Sequence, residues 1–506
     1  MNILIYFDGE NKLDSRGNSL WNIEKCICSA FLNSLINKNN KIKFIMPESS
    51  LSNYKLWIKE PDAAIFRGTA ISKEKLSFFM NNVEISTIAD EELINCFNFE
   101  TRIDEIYNSD IDEKTDENSF NRIKKLVLKK TGEFKPDIVI SYPLELGFLK
   151  KIFKEKMFFV TEWSIFSRPP LPKSIYFDPI GSVKESFLNV FAENIKKYQI
   201  TEKENQNVEC FKKEIRDIFL KNLDIANVVK PYKKKYRKLV LCPLVSFAYS
   251  EKIFPFPDDH SVIRFIMNHV APDIGVVFTL HPGPTSVSIY EISYYKEKYP
   301  NFIFINETLG ISMPSVALFP YVDAMINLIS LTGTMALLWD LPIVPLYGHY
   351  NDWLKDCDSL DEIETVLSKP ITNKNNIIYW YFTHYAVFEN RFEDGQFYKR
   401  YFENKLENFN KKGITFDFYE QNEDFGQISN FILEKLKNNI KGNNNGTNIR
   451  GNKKNIYLFG KIKIGSIVRN KKEIIINFLG VKMLRLSFLQ KKLFFCGIPI
   501  MRWKNN

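Results

Sequence analysis

Between two apolar runs of the stretch INLISLTGTMALLWDLPIVPLYG (Ile326–Gly348) stand Ser330, Thr332, Gly333 and Thr334. A buried strand that ends in small hydroxyl residues and then starts a helix suits phosphate. The first N–H groups of a helix lack partners, and the positive end of its dipole faces the anion. The hydroxyls can cap that helix or donate to a ligand, and a glycine lets the backbone approach closely. An ordinary helix cap would use the same residues, and the spacing matches neither a Walker loop nor GxGxxG. A second candidate is TLHPGPTS (Thr279–Ser286), where His281, one of five histidines, follows an apolar run beside a Pro-Gly-Pro turn. Its imidazole could donate to a phosphate or assist a leaving group, or it could simply hold the turn. The third is FFVTEWSIFSRPPLPKSIYFDPIG (Phe158–Gly181), which holds Glu162, Arg168 and Asp178. Glu162 at a strand terminus could act as general acid or base, and Arg168 could clamp a carboxylate or phosphate. A structural Glu–Arg pair holding the loop is the alternative.

These residues need elements to position them. Short apolar runs at Asn2–Phe7, Lys41–Pro47, Pro61–Gly68, Pro136–Pro143 and Lys156–Trp163 read as strands, with a helix expected from about Trp21 to Ile36. The acidic stretch Tyr107–Ser119 reads as a solvated loop or helix start, and Ile195–Lys235 as charged helix. A second series follows: strands at Lys238–Phe247, Ile274–Pro284, Asn301–Glu307, Val322–Ser330 and Leu341–Gly348, with a helix at Asp258–Pro272. Strands alternating with helices predict mostly parallel, doubly wound sheets. The expected fold is therefore α/β, two Rossmann-like domains facing a cleft, plus a small basic C-terminal β-repeat module. Ligands in such sheets sit outside the carboxyl ends of the strands.

The expected divisions are 1–235 for an N-terminal domain with its charged crossover and 236–436 for a second domain with an aromatic helical extension. A low-complexity linker, 437–455, precedes the module at 456–506. Three related units begin at Ile456, Ile476 and Leu493, each with a glycine between apolar and basic residues.

With 45% apolar and 25% charged residues the chain is of the globular class. Its net charge of +9 is uneven: 14 Lys/Arg against Glu473 give residues 450–506 a charge of +13, leaving −4 for the first 449. The tail could thus sit on an anionic inner membrane, or bind a partner, or neither. Nucleic acid is not expected, since the body is acidic and no nucleic-acid motif occurs. Seven scattered cysteines without a CxxC pair read as reduced thiols of a cytoplasmic protein, and no metal site is expected. No window reaches the ~18–20 apolar residues of a membrane-spanning helix.

Taken together, TEWSIFSRPPLPKSIYFDPIG, TLHPG and INLISLTGTMALLWDLPIVPLYG resemble the bacterial capsule and lipopolysaccharide glycosyltransferases related to the β-Kdo transferases. The resemblance covers roughly Lys135–Gly348, and the FGIPI-like repeats are similar to tails appended to such enzymes. It implies a GT-B-like pair of Rossmann domains, acceptor on the first and nucleotide-sugar donor on the second, and no metal or other cofactor. His281, Ser330, Thr332, Gly333 and Thr334 would hold the donor's phosphate or nucleotide. Glu162 would lie at the reacting centre, and Arg168 and Asp178 would shape the cleft. One departure stands out. Those transferases carry a glutamine and an acid after the first strand of the second domain, whereas CPLVSFAYSEKI offers no acid before Glu251, and Asp258 and Asp259 read as a helix start. That departure argues against Kdo as the donor sugar and against a covalent retaining mechanism. The reading is a membrane-peripheral or cytoplasmic glycosyltransferase of capsule or lipopolysaccharide synthesis. Its rivals are transfer of a non-sugar, phosphoryl-type group and a non-catalytic glycan-binding or assembly role.

Overall fold

A computed structural model describes residues 1–7, 40–48, 81–97, 117–142, 147–164, 171–181, 185–222, 225–245, 256–280, 287–306, 308, 314–328, 332–346, 352–392, 394–446 and six strands between 452 and 502. It divides into two compact units, Met1–Leu433 and Glu434–Asn506.

The first unit contains two sheets. Strands β1 (Asn2–Phe7), β2 (Lys41–Pro47), β3 (Glu84–Ile88), β4 (Ile138–Tyr142), β5 (Met157–Trp163) and β6 (Ser174–Asp178) belong to the first. Strands β7 (Lys238–Pro243), β8 (Ile274–Thr279), β9 (Phe302–Phe304), β10 (Ala324–Asn327) and β11 (Ile343–Pro345) form the second. A short strand, β12 (Val387–Phe388), returns to the first sheet. The orders are β12-β6-β5-β4-β1-β2-β3 and β11-β10-β7-β8-β9. Counted from its own first strand, each sheet contains the order 3-2-1-4-5, which is the doubly wound arrangement expected from the sequence. All five strands of the second sheet run parallel. Their buried, unbroken apolar runs follow from being covered on both faces: β8 and β10 have no residue outside the interior.

Four differences from the sequence reading have physical causes. The edge strand β3 was not anticipated, because its sequence EISTI is half polar and only Ile88 is fully buried. The proline-rich stretch after β5 ends in β6, which pairs antiparallel with β5 (Glu162 opposite Tyr176), so the first sheet is mixed. The segment assigned by sequence to the second domain partly belongs to the first. Val387 and Phe388 pair with Ile175 and Ser174, and the Tyr381 hydroxyl donates to Ser164 Oγ at 3.0 Å. Phe402 packs edge-on against Phe177 at 5.1 Å, so burial of aromatic area draws this return onto the sheet. Finally, a helix, Phe425–Gly446, runs through the first ten residues of the expected linker, and the next strand starts at Asn452. Phe425, Ile428, Ile432 and Leu436 anchor the start of that helix, and extending an existing helix fixes one residue per added bond. The predicted helix Trp21–Ile36 and strand Pro61–Gly68 lie outside the described residues, as does most of Tyr107–Ser119.

The charged crossover is helical, as expected: Glu202–Asn222, then Ala226–Lys235. The first of these helices carries a fully buried cation. Lys212 Nζ donates to Glu209 (2.8 Å), Asp340 (2.7 Å) and Asn375 (2.7 Å), and Arg216 grips the other Asp340 oxygen at 2.7 Å. Asp340 sits at φ 54, the left-handed region, directly after the turn Leu337–Trp339. This network joins the crossover to the second sheet and to the return segment.

In the second unit, β13 (Asn452–Leu458), β14 (Ile462–Arg469), β15 (Glu473–Phe478), β16 (Val481–Ser487), β17 (Lys492–Phe495) and β18 (Ile498–Arg502) form one antiparallel meander in chain order. The three sequence repeats correspond to the hairpins β13–β14, β15–β16 and β17–β18. The sequence joining the two strands of each hairpin holds one glycine: Gly460, Gly480 and Gly497.

Candidate functional site

The 3-2-1-4-5 order puts a crevice where the winding reverses, beside the carboxyl ends of β7 and β10. β10 ends at Asn327, and a short helix, Thr332–Ala336, follows. Asn327 is 1% exposed, and neither its Nδ2 nor its Oδ1 has a hydrogen-bond partner. Leaving a buried amide unpaired costs about 1–3 kcal/mol per group, so such a residue demands an explanation. Its neighbour supplies part of one. A Cβ on residue 333 would lie 2.5 Å from Asn327 Nδ2, so glycine is required there for the helix start to close over the amide. Thr334 is buried and Thr332 half-buried beside it.

The structure thus changes the reason for the glycine. The helix is only 5 residues long and passes into the turn Leu337–Trp339. So short a run of aligned peptides carries little dipole, and side-chain hydrogen bonding rather than the helix end is the chemistry this corner offers. Asn327 is the residue that sequence reasoning missed. The signal was present, a polar residue closing the apolar run AMIN, but it was absorbed into the strand.

Further polar groups line the same carboxyl edge. Thr279, the last residue of β8, shares a 2.7 Å hydrogen bond with Ser315 Oγ, both buried, and its carbonyl accepts Leu244 N–H at 2.9 Å. Asp258 caps the helix Asp259–His269 by accepting from Ser261 N–H at 2.7 Å, the helix start read from the sequence. Asp259 is fully buried. Burial, followed by the charge of Asp259, pushes the thiol of Cys242 in β7 well up. Ser330 and His281 lie outside the described residues; β8 ends two positions before His281.

On the first sheet, Glu162 is half-buried and next to last in β5. After burial itself, its charge helps push the pKa of its buried cross-strand neighbour Tyr176 up. Arg168 lies outside the described residues. Asp178 is fully buried and does not face solvent. Its Oδ1 accepts Ile180 N–H (2.8 Å) and Gly181 N–H (3.0 Å), and its Oδ2 accepts Phe187 N–H and the Tyr385 hydroxyl, both at 2.8 Å. Burial still pushes its carboxyl up to about 6, against those four bonds. Asp178 therefore shapes its surroundings indirectly, by fixing the chain after β6 and tying the return segment to it.

Among the described residues no group of three or more His, Cys, Asp or Glu is placed to hold a metal ion, and no helix is long and apolar enough to cross a membrane. Cys96, Cys210, Cys242 and Cys357 are free thiols.

No protein-family model matches the sequence, and no curated protein matches it. Among solved structures the chain is similar to the KpsC β-Kdo 2,7 transferase of Thermosulfurimonas dismutans, at 17% identity and a TM-score of 0.33, over 52% of this chain and 81% of that one. It is also similar to the glycotransferase of kitacinnamycin (10% identity, TM-score 0.26, 87% and 95% covered). A third likeness is to the UDP-GlcNAc 2-epimerase of Neisseria meningitidis bound to UDP-GlcNAc (13% identity, TM-score 0.25, 87% and 100% covered). The fold rests on the two strand orders rather than on these likenesses.

Proposed function

We propose that the protein transfers a sugar from a nucleotide-sugar donor to a growing glycan of capsular polysaccharide or lipopolysaccharide. The donor occupies the carboxyl edge of the second sheet and the glycan acceptor the first. The observation that carries this reading is the Asn327 amide, buried and unpaired at the winding reversal of a doubly wound sheet. A donor and an acceptor atom held together in one dry corner suit a polar ligand that offers the complementary pair, as a nucleotide base or a sugar hydroxyl does. The motif resemblance stated above supplies the substrate class. Thr332, Gly333 and Thr334, with Ser330 and His281, then belong to the donor side. Glu162 is the candidate acid or base, and Arg168 and Asp178 shape the acceptor side. No metal or further cofactor is invoked, and the protein works at or near the cytoplasmic face of the inner membrane.

Calorimetric titration with CMP, UDP, GDP and their sugars tests the donor site. One nucleotide series binds the wild type, and Asn327→Ala weakens it at least tenfold while the circular dichroism of the fold is kept. Equal affinity in the variant, or no nucleotide bound by the wild type, refutes the assignment. Product mass from a panel of activated donors then separates sugar transfer from transfer of a phosphoryl-type group.

A further inference from the structure

All five strands of the second sheet run parallel, so their first residues share one edge, opposite the candidate crevice. The helix Ala226–Lys235 ends at that edge, and the chain runs from it directly into β7 at Lys238. The inward side of the helix holds Val229. The buried ring of Tyr236 follows at its end, with the hydroxyl donating to the Pro300 carbonyl. The outward side holds Lys230, Lys233 and Lys234, exposed lysines at i, i+3 and i+4 that share one helix face. Lys235 is exposed as well and donates to the Pro300 carbonyl at 3.3 Å.

The acids that could neutralise these lysines are taken. Asp273 and Asp323 directly precede β8 and β10. Arg237 holds Asp273 at 2.7 Å and Glu364 at 2.8 Å, and Lys238 holds Asp323 at 3.2 Å. Among the described residues no carboxylate pairs with Lys230, Lys233, Lys234 or Lys235. Lysines in a last turn ordinarily complement the helix dipole, which accounts for three of the four. Lys230 stands a turn earlier, beyond the reach of that effect. The first 449 residues carry −4 overall, so the cluster is a local feature.

The kind of cation narrows the ligand. The one arginine here, Arg237, is occupied by two acids, and the unpaired cations are all lysines. An arginine fork grips a discrete carboxylate or phosphate, whereas lysine acts as a point charge on a flexible stem and suits a surface of many anions. Pro231 is exposed among the lysines, and the half-buried ring of Tyr321 lies 5.9 Å from Lys233 Nζ. Tyrosine rings gather at membrane–water boundaries. Single-stranded nucleic acid is instead held on open aromatic faces, and Lys233 covers this ring.

We infer that the amino edge of the second sheet docks on an anionic phospholipid surface through Lys230, Lys233, Lys234 and Lys235. Charge complementarity carries the assignment. Docked this way, the crevice edge of the same sheet faces away from the bilayer, toward the aqueous side from which a nucleotide-sugar would arrive. The inference uses none of the crevice residues, so it stands or falls apart from the donor assignment.

Flotation of the full-length protein with phosphatidylcholine vesicles, with and without one-third phosphatidylglycerol, tests it. The wild type floats with the anionic vesicles and is released by salt, which screens exposed charges. Lys230→Gln/Lys234→Gln binds about 30-fold more weakly, two charges at about 1 kcal/mol each. Lys230→Arg/Lys234→Arg keeps the charge and stays within about threefold of wild type. So does Lys125→Gln/Lys129→Gln, which removes two exposed lysines from the helix Glu117–Thr131 on the first sheet. The basic C-terminal residues are common to all four proteins, so the differences are read at this edge. All three variants keep the wild-type urea midpoint, because the substituted side chains are exposed, so lost flotation is not lost folding. Equal losses in the two glutamine variants, or no loss in either, would overturn the placement. Equal binding to neutral vesicles would overturn the electrostatic docking. Tighter binding of oligo(dT) at matched phosphate, lost with the same two lysines, would overturn lipid as the occupant.

Discussion

A methyl group on Gly333 would meet the Asn327 amide nitrogen at 2.5 Å, so the two residues are sterically coupled. That coupling makes a prediction without reference to any ligand. Gly333→Ala should destabilise the protein by about 1–3 kcal/mol, the usual cost of overpacking a close contact. In an Asn327→Ala background the clash partner is gone, and the same substitution should be nearly neutral. Urea unfolding of the four proteins measures the interaction energy directly; equal costs in both backgrounds would show that the contact is not what fixes the glycine. At this scale the sequence was informative about where, and less so about why. The hydroxyl-and-glycine break at Ser330–Thr334 was visible because it interrupts apolar periodicity. The unpaired amide was not, because one polar residue at a strand's end is ordinary until its partners are known to be missing. Asp178 shows the converse: an acid in a proline-rich loop looks solvent-facing, yet it is consumed by three backbone N–H groups and a tyrosine.

Among the elements, most strands of the two doubly wound sheets were legible as short apolar runs, though β6, at the end of a proline-rich stretch, was read as loop. The edge strand β3 and the return strand β12 were not legible either, the first for its polar residues and the second for being two residues long inside an aromatic-rich helical stretch. What binds the elements together was equally hidden. Lys212 looks like one more surface lysine of a charged helix, but it is 0% exposed and serves as donor to Glu209, Asp340 and Asn375. Lys212→Met should lower stability by about 3–5 kcal/mol, because Asp340 would lose one of its two ion pairs in a largely desolvated site and keep the one to Arg216. The loss should appear as a lowered urea midpoint at unchanged slope, since the same surface is exposed on unfolding. A change under about 1 kcal/mol would mean that methionine packing compensates for the network.

For the first unit as a whole, stability should depend on pH through groups buried where the return segment meets the first sheet. Asp178, His384 and Lys405 are among those that shift, and their signs differ. Asp178 is raised from 3.8 to about 6, so the native state holds its proton more tightly and stability falls as pH rises through that interval. His384 is lowered from 6.5 to about 4, chiefly by burial and then by Lys405; here the unfolded chain binds more protons, and stability rises over nearly the same interval. These two oppose each other below neutrality. Above neutrality Lys405 titrates, and the thiols Cys242 and Cys357, pushed up by burial, act in the opposite sense as pH approaches 9. Lys405 is 1% exposed, donates to the Phe418 carbonyl at 3.0 Å and lies 4.8 Å from the centre of the Tyr419 ring. Burial lowers it from 10.5 to about 7, with Glu420 pulling the other way. The unfolded chain therefore binds the extra proton between about 7 and 10.5, and the contribution of Lys405 to stability should climb with pH in that window, by about 2 kcal/mol from pH 7 to 9. The facing tyrosines, Tyr401 and Tyr419, are pushed up by burial and stay neutral there, so they do not mask the climb. Lys405→Met removes the titrating group while keeping its volume in the ring cluster. The stability of the wild type relative to the variant should climb from pH 7 to 9, the thiols being common to both; parallel urea-midpoint curves would show that the lysine keeps its charge in the folded protein.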